Sequence, residues 1–360
     1  MMLSRVRTLA IVASGALFAG AAAVADLRIQ GAGATFPNPL YQRWVSEYQK
    51  ANPSVRIDYQ SIGSGGGIKA ISERTVQFAG SDAPLTRKEL EAAGGRDNLI
   101  EIPTVAGSVV PAYNLPNIEK PLNLTGELIA DMFMGKVTNW NDERIAEINP
   151  GVKLPSLGIT PAWRTDGSGT TFVFTSYLAT QSPDYRSAVG TGKQVKWPLG
   201  QGGKGNEGVA AIVQQTPGAL GYVEANYAIQ NKLAFAAVRN QAGRFVIATP
   251  ESVSAAGAGA AGRLSGTILA VDIWNQPGEQ AYPIAAFTYI ITYKDLSTIP
   301  NFSQAQAKAL AEFLMWATHQ GQKFAADMDY APLAPEVQAK VAEALRSLTF
   351  KGSPILSPGG

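Results

Sequence analysis

The segment WRTDGSGTTFVF, from Trp163 to Phe174, sets Arg164 and Asp166 two residues apart and follows them with Ser168, Gly169 and Thr170. Alternate residues on a strand face the same way, so the carboxylate can hold the guanidinium fork toward an oxyanion. As a surface ion pair the same two residues would count for little. The hydroxyls and glycines then open a helical run, GTTFVFTSYLATQ. Three more segments share this chemistry: GAGATFPNP (Gly31 to Pro39), SIGSGGGIKAI (Ser61 to Ile71) and AGSDAPL (Ala79 to Leu85). Each ends a strand in small polar residues just before a helical pattern. Ser, Thr and Asp there can simply cap the free N–H groups of the first turn. The same N–H groups, with the helix dipole, can instead bind an anion. Both readings stand on the residues alone, and four such junctions lean toward the second.

Asp82 fits the second reading only for one kind of anion. A carboxylate repels an anion unless that anion carries a proton to donate. Phosphate carries one near neutral pH and sulfate does not. A buried acceptor left unmatched rejects the wrong ligand by roughly 10⁴ or more.

Other chemistry is poorly supported. GQGGKGN fails the phosphate-loop pattern, because Pro198 and Gly205 stand where Gly and Ser or Thr are needed. GAGATF and GSGGGI each lack the third glycine of a dinucleotide loop. One histidine, His319, and no cysteine argue against zinc, a thiol nucleophile and most triads. His319 reads as a solvated residue of a long amphipathic helix. No cofactor and no metal are expected.

The elements that must position these residues alternate along the chain. PLYQRWVSEYQKA reads as a helix with Leu40, Trp44, Val45 and Tyr48 on one face. Pro37 suits the first turn of that helix. VRIDYQSIG, VQFAGSD, LIEIPTVAGSVVPAYN, GITPAWRT, VKWPL, ALGYVEA and YPIAAFTYIITYK read as strands. Helices are expected at GGIKAISER, TRKELEAAG, TGELIADMFMG, GTTFVFTSYLATQ and GNEGVAAIVQQT, and two more follow the last strand. Alternation of this kind implies an α/β fold with mainly parallel sheets. The Ala- and Gly-rich stretch from Ala255 to Gly266 reads as a surface loop or a weak helix end.

The chain has 360 residues, 46% hydrophobic and 16% charged, enough for one large or two medium domains. Its first residues carry Arg5 and Arg7, a short apolar stretch and Ala23-Val24-Ala25, the pattern of a secretory signal cut before Asp26. The 30 basic residues less Arg5 and Arg7 equal the 28 acidic ones, so the exported chain has zero formal charge. Nucleic-acid binders show a basic surplus, and none is visible. Without cysteine the exported chain has neither disulfides nor a lipid attachment site, which points to the periplasm.

GAGATFPNPLYQRW, IGSGGGIKAI, GSDAPL, DGSGTTFVFTSYL, KWPLGQGGKGNEGVAA and PGALGYVE, in that order, resemble the periplasmic phosphate-binding proteins of the high-affinity phosphate ABC importer. The resemblance spans essentially the whole exported chain. It implies a two-lobe periplasmic binding protein fold of type II-like architecture, with mixed, mainly parallel sheets joined by a two-segment hinge. The chain is then expected to cross between lobes near Ala106 and Ala286. That gives a signal peptide at 1–25, a first lobe at 26–105, a second at 106–286, and a return to the first at 287–360.

Carried over residue by residue, the resemblance places phosphate on Thr35 and Phe36 (backbone N–H, with the Thr35 hydroxyl), Ser64, Asp82, Arg164, Ser168, Gly169 and Thr170. Asp166 takes the part of the acid that orients the arginine. Gly65 stands where relatives often have a second serine and Trp163 where a second arginine can occur, and neither is among these ligands. The implied partners are inorganic phosphate and an inner-membrane permease, with no nucleic acid, no membrane span and a monomeric receptor. A receptor for another tetrahedral oxyanion such as arsenate is the nearest alternative. A secreted phosphatase using Ser168 or Thr170, and an adhesion role, are the others.

Overall fold

A computed structural model describes residues 27–118 and 120–357. The expected signal peptide and its cleavage site lie outside the described residues. Strands β1 (Leu27–Gly33), β2 (Val55–Ser61) and β3 (Phe78–Ser81) alternate with helices Asn38–Ala51 and Ser64–Ser72. Next comes β4 (Leu99–Tyr113), fifteen residues long and buried throughout. A short β5 (Asn123–Leu124) precedes β6 (Thr160–Arg164) and the helix Gly169–Gln181. After them come β7 (Gln201–Gly203), the helix Gly205–Gln215 and β8 (Ala219–Glu224). Short strands β9 (Ala234–Phe235), β10 (Ala237–Arg239) and β11 (Phe245–Val246) lead to β12 (Ala285–Tyr293), and helices Gln304–Thr318 and Pro335–Arg346 follow, then a small hairpin of β13 (Thr349–Phe350) with β14 (Ser353–Pro354).

The main sheet runs β2-β1-β3-β12-β4-β8-β6-β7, with β9 also on β4. Its two flanks are parallel: β1 with β2 and β3, and β6 with β7 and β8. The centre is antiparallel, because β12 returns from far along the chain to pair with β3 and β4. Strand–helix alternation carries no sign of that return. β4 serves both sides, pairing Leu99–Ser108 with β12 and Val109–Tyr113 with β8. The result is two lobes that share one strand.

Each lobe has its own aromatic core. In one, Tyr41 packs on Trp44 and Tyr59, and Tyr59 stacks on Phe78. In the other, Phe174 stacks on Tyr222 at 4.3 Å between ring centres, beside Phe133 and Trp197. Rings of this size bury most of the apolar area that holds such a core. Close packing also explains Gly67: a Cβ there would lie 2.5 Å from the Gly33 Cα, so the Ser64–Ser72 helix could not sit on β1.

Two local expectations need correction. VKWPL is not a strand; the strand comes later, at Gln201–Gly203, paired with Ala162–Arg164. Pro198 has no N–H for a ladder, and Trp197 instead turns its ring into the second core. His319 is not a solvated residue of a helix interior. It ends the Gln304–Thr318 helix as its C-cap, half-buried, with Nδ1 2.9 Å from the Met315 carbonyl. The stretch from Ala255 holds the end of the Pro250–Gly257 helix and a 3₁₀ turn at Ala260–Arg263.

Candidate anion-binding site

Four helices start at the four junctions singled out above or just beyond them, at Asn38, Ser64, Arg87 and Gly169. A fifth, Gly205–Gln215, joins three of these at the same place. Arg164 closes β6 and is the most constrained member. Its side chain is 1% exposed and that of Asp166 12%, so this is no surface ion pair. Nε lies 2.8 Å from Asp166 Oδ1 and Nη2 2.5 Å from Oδ2. Burial raises the Asp166 pKa, but the hydrogen bonds and charge of Arg164 outweigh it and hold the carboxyl below its usual range. Asp166 Oδ1 also accepts the Gly205 N–H at 3.0 Å, tying the pair to the start of the Gly205–Gln215 helix. Nη1 reaches Thr170 Oγ1 at 3.4 Å. Of the five guanidinium N–H groups, two have no acceptor among the described residues.

Ser64 bridges the lobes. Its Oγ accepts the N–H of Asp82 at 3.3 Å and that of Gly169 at 3.0 Å. Asp82 is 2% exposed, and Oδ1 accepts the Thr288 hydroxyl at 2.7 Å. Burial pushes its pKa up to about 7, against the opposing pull of the Thr288 hydrogen bond, Arg164 and Ser64. Ser168 caps its helix by accepting the Thr171 N–H at 3.0 Å, which leaves the hydroxyl proton free to donate. The N–H groups of Thr35, Phe36 and Thr170 find no partner among the described residues.

One residue that the sequence did not single out completes the set. Asn206 is fully buried. Its Nδ2 donates to Thr35 Oγ1 at 2.6 Å and to Thr170 Oγ1 at 3.2 Å, and its backbone N–H also reaches Thr35 Oγ1 at 3.3 Å. Through Asn206, Thr35 and Phe36 join Ser64, Asp82, Arg164, Asp166, Ser168, Gly169 and Thr170 in one connected cluster. The signal for Asn206 was present in KGNEG, a glycine-rich entry to a helix. Thr288 gave none: it lies 206 residues from Asp82 in the middle of a strand.

The cluster suits an oxyanion. It gathers helix N-termini, oriented hydroxyls and a guanidinium, with a single carboxyl able to take or share a proton. Among the described residues no group of three or more His, Cys, Asp or Glu could hold a metal ion, and no helix is long and apolar enough to cross a membrane.

Comparison with known proteins agrees with this geometry. Residues 20–319 match the PBP superfamily domain. The chain is 44% identical to the phosphate-binding protein PstS of Pasteurella multocida over 314 residues, covering 87% of this chain and 88% of that protein. It is 44% identical to the phosphate-binding protein PstS of Xylella fastidiosa strain 9a5c, over 91% of this chain and 86% of that protein. The crystal structure of a phosphate binding protein from Stenotrophomonas maltophilia shares the fold, with a TM-score of 0.66 at 22% identity over 89% and 93% of the two chains. The chain therefore belongs to the PstS family of phosphate-binding proteins, within the PBP superfamily.

Proposed function

We propose that the protein is a periplasmic receptor that binds inorganic phosphate between its lobes and passes it to an ABC importer, without catalysing a reaction. The observation that carries this reading is the cluster around Arg164, in which nearly every free group is a donor and Asp82 is the one acceptor. Phosphate, dehydrated, accepts from the N–H groups of Thr35, Phe36 and Thr170, from the Ser64, Ser168, Thr170 and Thr35 hydroxyls, and from Arg164. The Gly169 N–H supports this set indirectly, since it donates to Ser64 Oγ at 3.0 Å and so turns the Ser64 proton toward the ion. Asp82 shares a proton with a phosphate oxygen, and Asp166 keeps the guanidinium aimed. Each donor to a charged acceptor contributes about 1.5–3 kcal/mol, and together they must offset the ion's lost hydration.

The lobes are assigned to 26–105 with 287–360, and to 106–286, hinged near Ala106 and Ala286. The pairing of Ala106 with Phe287 and of Gly107 with Ala286 supports two crossings side by side. The receptor acts as a monomer, exported by its N-terminal signal, and the closed form is what the inner-membrane permease engages. The names of the PstS relatives support the ligand.

Isothermal titration of phosphate and of sulfate into protein stripped of ligand by unfolding and refolding tests the reading. One-to-one phosphate binding with sulfate silent at about pH 8, and no turnover of p-nitrophenyl phosphate, is the expected result. Absence of phosphate binding, or hydrolysis of the ester, would overturn it. Arsenate has the same shape and carries a proton, so a third titration measures how far the site separates the two.

A further inference from the structure

Three consecutive carbonyls of the loop after β1 are each held by a phenol. Tyr59 donates to the Ala34 carbonyl at 2.9 Å, Tyr227 to that of Thr35 at 2.6 Å, and Tyr330 to that of Phe36 at 2.7 Å. A planar peptide unit joins one residue's carbonyl to the next residue's N–H. Tyr59 therefore grips the unit that bears the Thr35 N–H, and Tyr227 the unit that bears the Phe36 N–H. Those are the two backbone donors assigned to phosphate above, and neither has a protein partner among the described residues. The Phe36 carbonyl leads into Pro37, which has no N–H, so Tyr330 can only anchor the loop.

The three phenols do not come from one lobe. Tyr59 lies on β2, beside β1. Tyr227 lies on the helix Ala225–Gln230, directly after β8. Asn206 comes from the same side as Tyr227, and it fills both lone pairs of the Thr35 hydroxyl. The second lobe thus takes hold of Thr35 at two atoms, its carbonyl and its hydroxyl. Tyr227 has one proton, and the Thr35 carbonyl takes it; Glu207 Oε1 stands farther off, at 3.2 Å.

We infer that Tyr227 and Asn206 are positioning residues through which lobe closure strengthens and aims the donors on Thr35 and Phe36. A hydrogen bond accepted at a carbonyl polarises the amide, so that its N–H donates more strongly, and it also fixes the peptide plane. A threonine hydroxyl whose lone pairs are both occupied has only its proton left to give. Asn206 and Arg164 do the same to Thr170, since both donate to its Oγ1. In the open form Thr35 lacks both contacts. The ion therefore meets weaker donors at encounter than it leaves at release, and the difference falls on the dissociation rate.

This inference rests on the phosphate-receptor reading, and its test separates the two. Stopped-flow association and dissociation of inorganic phosphate are measured for the wild type, Tyr227→Phe, Asn206→Leu and, as a comparison from the same lobe as the loop, Tyr59→Phe. Removing the hydroxyl of Tyr227 should speed dissociation about 10-fold while association stays within about twofold. The Phe36 amide proton of the liganded Tyr227→Phe variant should move upfield, as a weaker donor's does. Tyr59→Phe should slow association as well as speed release, because its bond is present before closure. Unchanged dissociation in both Tyr227→Phe and Asn206→Leu, with tight binding by the wild type, overturns the inference and leaves the receptor standing. A loss confined to the association rate overturns it too. Should Tyr227→Phe fail to fold, Asn206→Leu, which keeps the branching and heavy-atom count of the native side chain, carries the same kinetic test. A wild type that binds no phosphate overturns the receptor reading, and the inference with it.

Discussion

Arg164 and Asp166 meet fork to fork inside the protein, with Nε and Nη2 on the two carboxylate oxygens at 2.8 and 2.5 Å and a side-chain exposure of only 1% for the arginine. A buried pair of this geometry does more for aim than for stability, because desolvation offsets much of the attraction. Its value lies in the donors that remain pointed away from Asp166. Asp166→Asn keeps the shape and one acceptor but lets the guanidinium turn. Phosphate affinity should fall about 10- to 100-fold, and Arg164→Lys, which loses the fork altogether, should fall further. Titration calorimetry reads both, and an Asp166→Asn protein with wild-type affinity would show that the pairing is structural only.

In the proposed receptor Asp82 sets selectivity, and its raised pKa of about 7 makes that selectivity depend on pH. Above that value the carboxylate offers only lone pairs and refuses sulfate. Below it the carboxyl carries a proton and can donate to an unprotonated oxygen. Sulfate affinity should therefore rise as the pH drops from about 8 to about 5.5, while phosphate binding persists. Asp82→Asn, which always has a donor, should bind sulfate at both ends of that range. A variant that stays silent to sulfate would remove Asp82 from the selectivity argument.

The same shift bears on stability. Burial raises Asp82 from 3.8 to about 7 and Glu101 from 4.5 to about 7, so the folded chain keeps protons that the unfolded chain loses. Between about pH 4 and 7 each group withdraws stability as pH rises, and above about 7 the withdrawal is complete. Asp295 behaves oppositely: its carboxyl is held down to about 2, so its contribution is present above 3.8 and fades only as pH falls toward 2. Urea unfolding of the ligand-free protein at several pH values should show the decline, with a shallower slope for Asp82→Asn. An identical slope in that variant would assign the decline to Glu101 and other buried acids.

Gly169 marks how closely the lobes meet. A Cβ at that position would fall against the Asp82 carboxylate and within 2.6 Å of Ser64 Oγ, both across the cleft. Gly169→Ala should leave each lobe folded and weaken phosphate binding by at least 100-fold, since closure must stop short. Small-angle scattering with and without phosphate checks the cause: the variant should show no compaction at phosphate concentrations that close the wild type.

Much of the site was legible along the chain because its chemistry is local. A strand that ends in Ser, Gly or Asp before a helix exposes N–H groups whatever the rest of the molecule does, and the spacing of Arg164 and Asp166 already allows them to pair. The helix at Asn38–Ala51 and the buried run of β4 were equally plain, since each follows from hydrophobic period and length. VKWPL misled because Val195, Trp197 and Leu199 alternate like a strand, while Pro198 and the demand of a distant core for the Trp197 ring decide otherwise.

What the chain could not disclose are contacts between residues far apart in it. Thr288 reaches Asp82 across 206 positions, Asn206 reaches Thr35 across 171, and Tyr227 reaches the Thr35 carbonyl across 192. None has a periodic or spacing signature, because each depends on β12 returning to the middle of the sheet and on two lobes closing over one loop. The residue types alone determined that an oxyanion could be held at helix N-termini. Only the tertiary structure decided which hydroxyls lose their lone pairs to neighbours and must donate, and how deeply Asp82 is buried, because both depend on what packs against a group and not on what precedes it.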